Sequence, residues 1–200
     1  MGGKDTRWRI VEAAMELFWL KGFASTSIAD ILSRSQVNSG SLYYFFPGKQ
    51  DVLIAVLEAY QEGIGPMLLE PAWKGIDDPV ERVFALLATY RQALVQTDCT
   101  YGCPIGSLAL EIHEPDPAVR ELLAANFEAW IAAVENCLRE GAARFPSNTD
   151  FRALAELVLI VMEGGVMQAR TFRDVAYFDR AVAQLRTMIE RMSSKQGEAA

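Results

Sequence analysis

An all-α fold in two parts is predicted by three observations on this 200-residue sequence. Strand-like alternation never persists for more than a few residues, whereas apolar residues recur at three- and four-residue spacing along most of the chain. Proline and glycine sit where those patterns start and stop: Gly22, Pro47-Gly48, Asp78-Pro79 and Asp116-Pro117. Apolar residues make up 51 % of the chain, enough to fill the core of one or two domains.

The first helical pattern carries Ile10, Ala13, Ala14, Leu17 and Phe18 on one face and ends near Lys21-Gly22. Ser25 or Thr26 is the expected cap of a short second helix with Ile28, Ile31 and Leu32. After a break at Ser35-Gln36-Val37-Asn38, a third short helix passes through Leu42 and Phe45 and stops at Pro47-Gly48. The fourth starts near Lys49 and aligns Leu53, Val56, Leu57 and Tyr60. Gly63, Gly65, Pro66, Pro71 and Gly75 read as a connecting region. Asp78-Pro79 then opens a helix with Val80, Val83, Leu87, Tyr90 and Leu94 on one face, and Pro104 a short one through Glu111. The long helix after Asp116-Pro117 places Val119, Leu122, Leu123, Phe127, Trp130, Ile131, Val134 and Leu138 together. Another, from Asp150 to about Phe172, is apolar nearly all round at Leu157 to Met162 and is expected to be buried on several sides. In the last, Phe178, Val182, Leu185, Ile189 and Met192 form a heptad seam.

The longest uninterrupted apolar run is far short of a membrane span. The N-terminus lacks a signal-peptide core, and Asp5 and Thr6 read as capping residues although Met1-Gly2 with Thr6 fits a loose myristoylation pattern. Three unevenly spaced cysteines make neither a disulfide framework nor a zinc motif, so a reducing, cytoplasmic setting without a metal or other cofactor is expected. The net charge is −7, yet residues 1–50 carry +2 and the remainder −9. Such asymmetry marks a polyanion-facing module on a body with another task.

Two short helices joined by a tight turn and backed by a longer helix are the layout of a helix-turn-helix, whose second short helix enters the DNA major groove. Asn38, Ser39, Gly40 and Ser41 are small and polar, allowing close approach to bases and phosphates. Helix starts at Thr26 and Ser39 present free amides to phosphate, and Tyr43, Tyr44 and Lys49 add hydroxyls and an ammonium. On these residues the chain resembles the DNA-binding domain of the tetracycline-repressor (TetR) family. The matching elements are Phe18 through Gly22-Phe23, Thr26-Ser27-Ile28-Ala29-Asp30-Ile31, Val37 through Phe46, and Lys49 with Leu53. By that resemblance Thr26, Ser27, Ser39, Ser41, Tyr43, Tyr44 and Lys49 stand where members touch DNA. The resemblance also implies a two-part helical plan and, most often, repression. Members usually have Ala-Gly-Val at the turn; here Ser35-Gln36-Val37 stands there, and a left-handed Gln36 would cost about 1 kcal/mol relative to Gly.

The expected division is a helix-turn-helix domain at 1–50 with a connecting helix at 49–66, a ligand-sensing and dimerisation domain at 67–195, and a frayed tail at 196–200. Bulky side chains from different helices define the expected effector pocket: Phe84, Tyr90, Tyr101, Cys103, Leu108, Phe127, Trp130, Met162, Glu163 and Met167, joined in composition by Trp73. Glu163, inside an apolar helix, needs a partner such as Arg170, Gln168 or a cationic ligand. Val158, Val161, Gly164, Gly165, Val182, Leu185 and Ile189 are the expected homodimer interface. Cys103, preceding Pro104 at a helix start, is a candidate reactive thiol, with Cys99 as its resolving partner; Cys137 reads as structural. The sole histidine, His113, lies between Glu111 and Glu114 at a polar helix end without a nucleophile elbow or carboxylate pair, so catalysis is the weakest alternative. The resulting expectation is a ligand-responsive regulator of a palindromic operator, with electrophile sensing at Cys103 as the rival mode.

Overall fold

The computed structural model describes residues 3–194; Met1-Gly2 and the expected tail at 196–200 lie outside the described residues. Besides a short 3-10 turn at Ala142–Arg144 and a π-helical segment at Ile64–Leu69, the described residues form ten α-helices: α1 Gly3–Lys21, α2 Ile28–Ser35, α3 Ser39–Phe45, α4 Lys49–Gly63, α5 Glu70–Trp73, α6 Pro79–Gln96, α7 Pro104–Glu111, α8 Pro117–Glu140, α9 Phe151–Phe172 and α10 Ala176–Ser194. The chain divides into two units. The first takes the residues up to Gly63 together with Pro104–Phe127, and the second Ile64–Cys103 with the residues from Glu128 onward. The boundary therefore differs from the expected one near residue 66. Helix α7 and the start of α8 join the helix-turn-helix because they bury Ile105, Leu108, Val119 and Leu123.

In the first unit, Ile10, Ala14 and Phe18 of α1 meet Ile31, Leu42, Val52, Leu53 and Val56, all nearly or fully buried. Helix α2 starts one or two residues later than its sequence suggests. Ser27 is its cap, the Ser27 hydroxyl accepts from the Asp30 amide, and the Asp30 carboxylate answers to the Ser27 N–H at 2.8 Å. Hydrogen bonds from Ser27, then Lys21 beside it, hold the Asp30 carboxyl well below the usual carboxylate range. Asn38 caps α3 by accepting from the Ser41 amide at 2.8 Å.

The turn between α2 and α3 is left-handed at Gln36, with φ 54° and ψ 39°. Three contacts compensate for the missing glycine. The Gln36 side-chain amide donates to the Ser33 carbonyl at 2.6 Å, and Arg9 of α1 donates to the Ser35 and Gln36 carbonyls. The α2–α3 angle is thus tied to the helix behind it.

Gly63, Gly65, Pro66 and Pro71 do not interrupt the chain as expected. A π-helical segment, Ile64–Leu69, carries α4 directly into α5. Proline lacks the N–H that an α-helix needs, and a wider turn accommodates Pro66, while Pro71 falls in the first turn of α5 where that N–H is dispensable. The resulting stretch, Lys49–Trp73, is long and apolar enough to cross a membrane by length and composition alone. Its residues Val52, Leu53, Val56 and Leu57 are instead buried in the protein.

The second unit is built on α6, the later part of α8, α9 and α10. Val83, Leu87, Trp130, Val134, Leu154, Val158, Met162, Phe178, Leu185 and Ile189 share one core. Gly165 admits α10 to α9, since a Cβ there would lie 3.0 Å from the Phe178 ring. Asp78 caps α6 from the Val80 and Glu81 amides and pairs with Arg144. Replacing Gln36 by Gly should relieve the left-handed strain and raise stability by about 0.5–1 kcal/mol in urea unfolding, because the lost side-chain bond is exposed.

Candidate functional site

Helix α3 presents two different sides. Leu42 is fully buried and Phe46 is 3 % exposed, whereas Tyr43 is 53 % and Tyr44 82 % exposed. Ser39 and Gly40 are also exposed, Ser41 half so, and Tyr44 packs edge-on against Phe45 with ring centroids 5.0 Å apart. A helix this short holds an outward tyrosine pair only because Leu42 anchors it from behind. Ser27 and Asn38 are exposed but use their side chains as caps, leaving the first-turn amides of α2 and α3 facing outward.

Two of the expected contact residues are placed differently. Thr26 is 1 % exposed and its hydroxyl donates to the Gly22 carbonyl at 2.7 Å, so it closes the α1–α2 turn rather than offering a side chain outward. Lys49 points into the same turn. Its ammonium donates to the Phe23 carbonyl at 2.9 Å and the Thr26 carbonyl at 3.0 Å, and lies 4.3 Å from the Phe23 ring centroid. Burying the turn's carbonyls demands a donor, and Lys49 at the start of α4 supplies it.

The amides of that turn have a partner the sequence did not reveal. Glu111, the last residue of α7, accepts from the Phe23 N–H at 2.9 Å and the Ala24 N–H at 2.7 Å, one with each carboxylate oxygen. Gly22 takes φ +85° there, and a Cβ on it would stand 2.9 Å from both oxygens. Glu111 beside His113 read as a polar helix end; its partner lies 88 residues away in sequence, and no spacing rule connects them. His113 itself is exposed.

In the second unit four of the expected pocket residues converge. The Cys103 thiol hydrogen-bonds the Glu163 carboxyl, and Tyr90 is close enough to feel Cys103, Glu163 and the Trp130 indole. Burial pushes the Glu163 carboxyl above its ordinary range and the Tyr90 phenol well above its own. Glu163 thus meets a thiol, while Arg170 donates to the Thr100 carbonyl. The other candidates are elsewhere. Phe84 is covered by Arg186, 3.9 Å from its ring centroid, and Met162 is wholly buried in the core. Tyr101 is half-buried, Leu108 and Phe127 belong to the first unit, and Met167 is 52 % exposed on the outer side of α9.

All three cysteines are buried and none is in a disulfide. Cys103 does immediately precede α7, and its thiol is hydrogen-bonded to the Glu163 carboxyl. Burial raises Cys99, placed in a left-handed stretch with Asp98, and raises Cys137 to about 11. Among the described residues, no group of three or more His, Cys, Asp or Glu side chains is arranged to hold a metal.

The expected interface residues also divide. Val158, Gly165, Leu185 and Ile189 are buried within their own unit, and Val161 and Val182 are half-buried against it. The heptad seam of α10 is therefore occupied internally, because Phe178, Leu185 and Ile189 face α9. A second seam stays outward on α9 itself: Ala153, Leu157, Ile160, Gly164, Met167 and Thr171, at spacings of 4, 3, 4, 3 and 4. Ile160 is 66 % exposed, and a Cβ on Gly164 would meet nothing within 4 Å.

A helix-turn-helix with an anchored, outward-facing second helix, joined to a larger helical unit, defines a DNA-binding transcriptional regulator. Residues 10–56 match the profile of the bacterial regulatory proteins of the tetR family, and residues 79–184 that of the LmrA/YxaF-like transcriptional regulator C-terminal domain. An HTH-type transcriptional regulator of Mycobacterium tuberculosis, Rv0196, is 30 % identical over 188 residues, covering 92 % of this chain and 93 % of its own. The HTH-type transcriptional repressor DhaR of a Mycobacterium species is 24 % identical over 176 residues, 87 % of each chain. A TetR transcriptional regulator from Chloroflexus aurantiacus superposes with a TM-score of 0.81 at 27 % identity, over 95 % of this chain and 96 % of that one. The chain belongs to the TetR family, whose members are transcriptional regulators rather than enzymes.

The turn clamp generates a prediction. Glu111→Ala should lower stability by about 1.5–3 kcal/mol, since two amides lose a charged acceptor. Gly22→Ala should be at least as harmful because the new methyl and the carboxylate cannot coexist. Thermal unfolding followed by circular dichroism measures both, and a Glu111→Ala protein as stable as wild type would remove the clamp from the account.

Proposed function

We propose that this regulator is a repressor that binds a palindromic operator as a homodimer in the cytoplasm and leaves it when a small molecule occupies the second unit. The observation carrying the DNA half is α3: hydroxyl and small side chains outward, Leu42 inward, and the turn before it fixed by Arg9 and Gln36. Ser39, Gly40 and Ser41 would face base edges, with Tyr43, Tyr44 and the free amides of α2 and α3 on phosphates. Thr26 and Lys49 act one step back, shaping the α1–α2 turn from which α2 springs. Family members bind DNA operators and act as dimers, which supports the same reading.

The second copy would pack on the outward seam of α9, where Gly164 permits close helix approach between Ile160 and Met167. Response to a ligand is then a population shift, DNA and effector favouring different conformations with a coupling of about 1–3 kcal/mol. The covalent route is short. Cys103, hydrogen-bonded to Glu163, is followed directly by α7, whose last residue is the Glu111 that holds the α1–α2 turn. Electrophile sensing at Cys103 receives less support, because the thiol is buried and hydrogen-bonded to Glu163.

Two measurements test the proposal. Tyr44→Ala should weaken operator binding about tenfold on every sequence with its salt dependence unchanged, while Ser39→Ala should change base preference in selection from a random pool. Undiminished affinity of Tyr44→Ala would remove α3 from the interface. Ile160→Asp with Met167→Lys should give a folded monomer with reduced operator affinity, whereas Leu185→Asp should unfold the second unit. Sedimentation that still shows a dimer for the folded Ile160→Asp, Met167→Lys protein would place the interface elsewhere.

A further inference from the structure

Among the described residues, the second unit contains three buried polar side-chain atoms without a hydrogen-bond partner in the protein: the Thr149 hydroxyl and, in one cluster, the indole Nε1 of Trp130 and Oε1 of Glu163. Trp130 is 4 % exposed, so its N–H is deep in the core, where an unmatched donor is costly. The Tyr90 hydroxyl lies near the indole without meeting the geometry of a hydrogen bond with its N–H. The other carboxyl contact of Glu163 is the Cys103 thiol, a weak donor. Tyr90 and Glu163 each keep part of their surface accessible, so the cluster is not sealed. Three helices and one loop end supply it: Tyr90 from α6, Trp130 from α8, Glu163 from α9 and Cys103 from the residue before α7.

We infer that Tyr90, Cys103, Trp130 and Glu163 form the polar recognition point for the effector, and that the effector is an uncharged, flat molecule bearing both a hydrogen-bond acceptor and an O–H or N–H donor. This rests on the reading of the second unit as the sensing unit and adds the chemical class. The acceptor takes the Trp130 N–H and the donor meets Glu163 Oε1. A cation is disfavoured because the indole N–H presents the positive end of its dipole to the same spot. An anion is disfavoured by the cost of desolvating its charge in so buried a place. Burial raises the proton affinity of Glu163, so its neutral form, itself donor and acceptor, suits an uncharged guest. The Tyr90 and Trp130 rings, both on the apolar core, fit an aromatic or lactam body.

The test uses the full-length protein and three probes of similar size: neutral 2-quinolinone, cationic N-methylquinolinium and anionic naphthalene-2-carboxylate. The Trp130 indole N–H resonance, assigned by its loss in Trp130→Phe, reports contact directly. The neutral probe should move that resonance, and its affinity should fall about tenfold in Trp130→Phe and in Glu163→Ala. Glu163→Gln should keep affinity within about threefold, because an amide offers the same donor and acceptor. Tighter binding of the cationic probe with loss in Glu163→Gln, an unmoved Trp130 resonance with every probe, or neutral-probe affinity unchanged in all variants would each overturn the assignment. Operator release by a different compound in a variant that fails these criteria would leave the regulator reading standing and remove only this site.

Discussion

The α1–α2 turn, residues 22–26, is held at both polarities by charged groups from elsewhere in the first unit. Glu111 takes its amides and Lys49 takes its carbonyls, while Thr26 closes it from within. A turn of exposed backbone between two helices would otherwise exchange these bonds with water and let α2 swing. Charge-assisted bonds to main-chain groups carry more free energy than neutral ones and are directional. They set where α2 begins, its capping box starts at the next residue, and Gln36 and Arg9 then set α3. The exposed side of α3 that carries Tyr43 and Tyr44 is therefore placed by hydrogen bonds to which neither tyrosine contributes.

This separation explains how α3 can be only seven residues long and still present two tyrosines. Isolated, a helix of that length would not form. Leu42 and Phe46 supply its attachment, Asn38 its cap, and the exposed positions remain free to vary for recognition. Thr26 and Lys49, expected at DNA, are engaged in the α1–α2 turn in this structure.

In the second unit the same economy of side chains appears in apolar form. Gly165 lets Phe178 and with it α10 close on α9, which uses up one heptad seam internally. The adjacent Gly164 faces outward on the other seam. Neighbouring glycines thus serve two different contacts because successive helical positions point about 100° apart. Glu163 of the polar cluster lies on α9 as well, so the outward seam and the cluster share one helix.

Helix order, the cap at Asp78, the helix-turn-helix and the unusual Gln36 at its turn were legible in the sequence, because each depends on residues close together in the chain, whereas α5 was read as a connection. Proline and glycine misled only at Ile64–Leu69, where a π-helical segment absorbed them. Which face of a helix meets which neighbour is a different kind of information. Periodicity identified apolar seams on α9 and α10 but could not say that α10 turns its own inward, leaving Ile160 and Met167 outside. Nor could it pair Glu111 with Phe23, Arg9 with Gln36, or Tyr90 with Trp130 and Glu163. Those pairings depend on chain segments tens of residues apart meeting in space, and only the tertiary packing of the helices decides them.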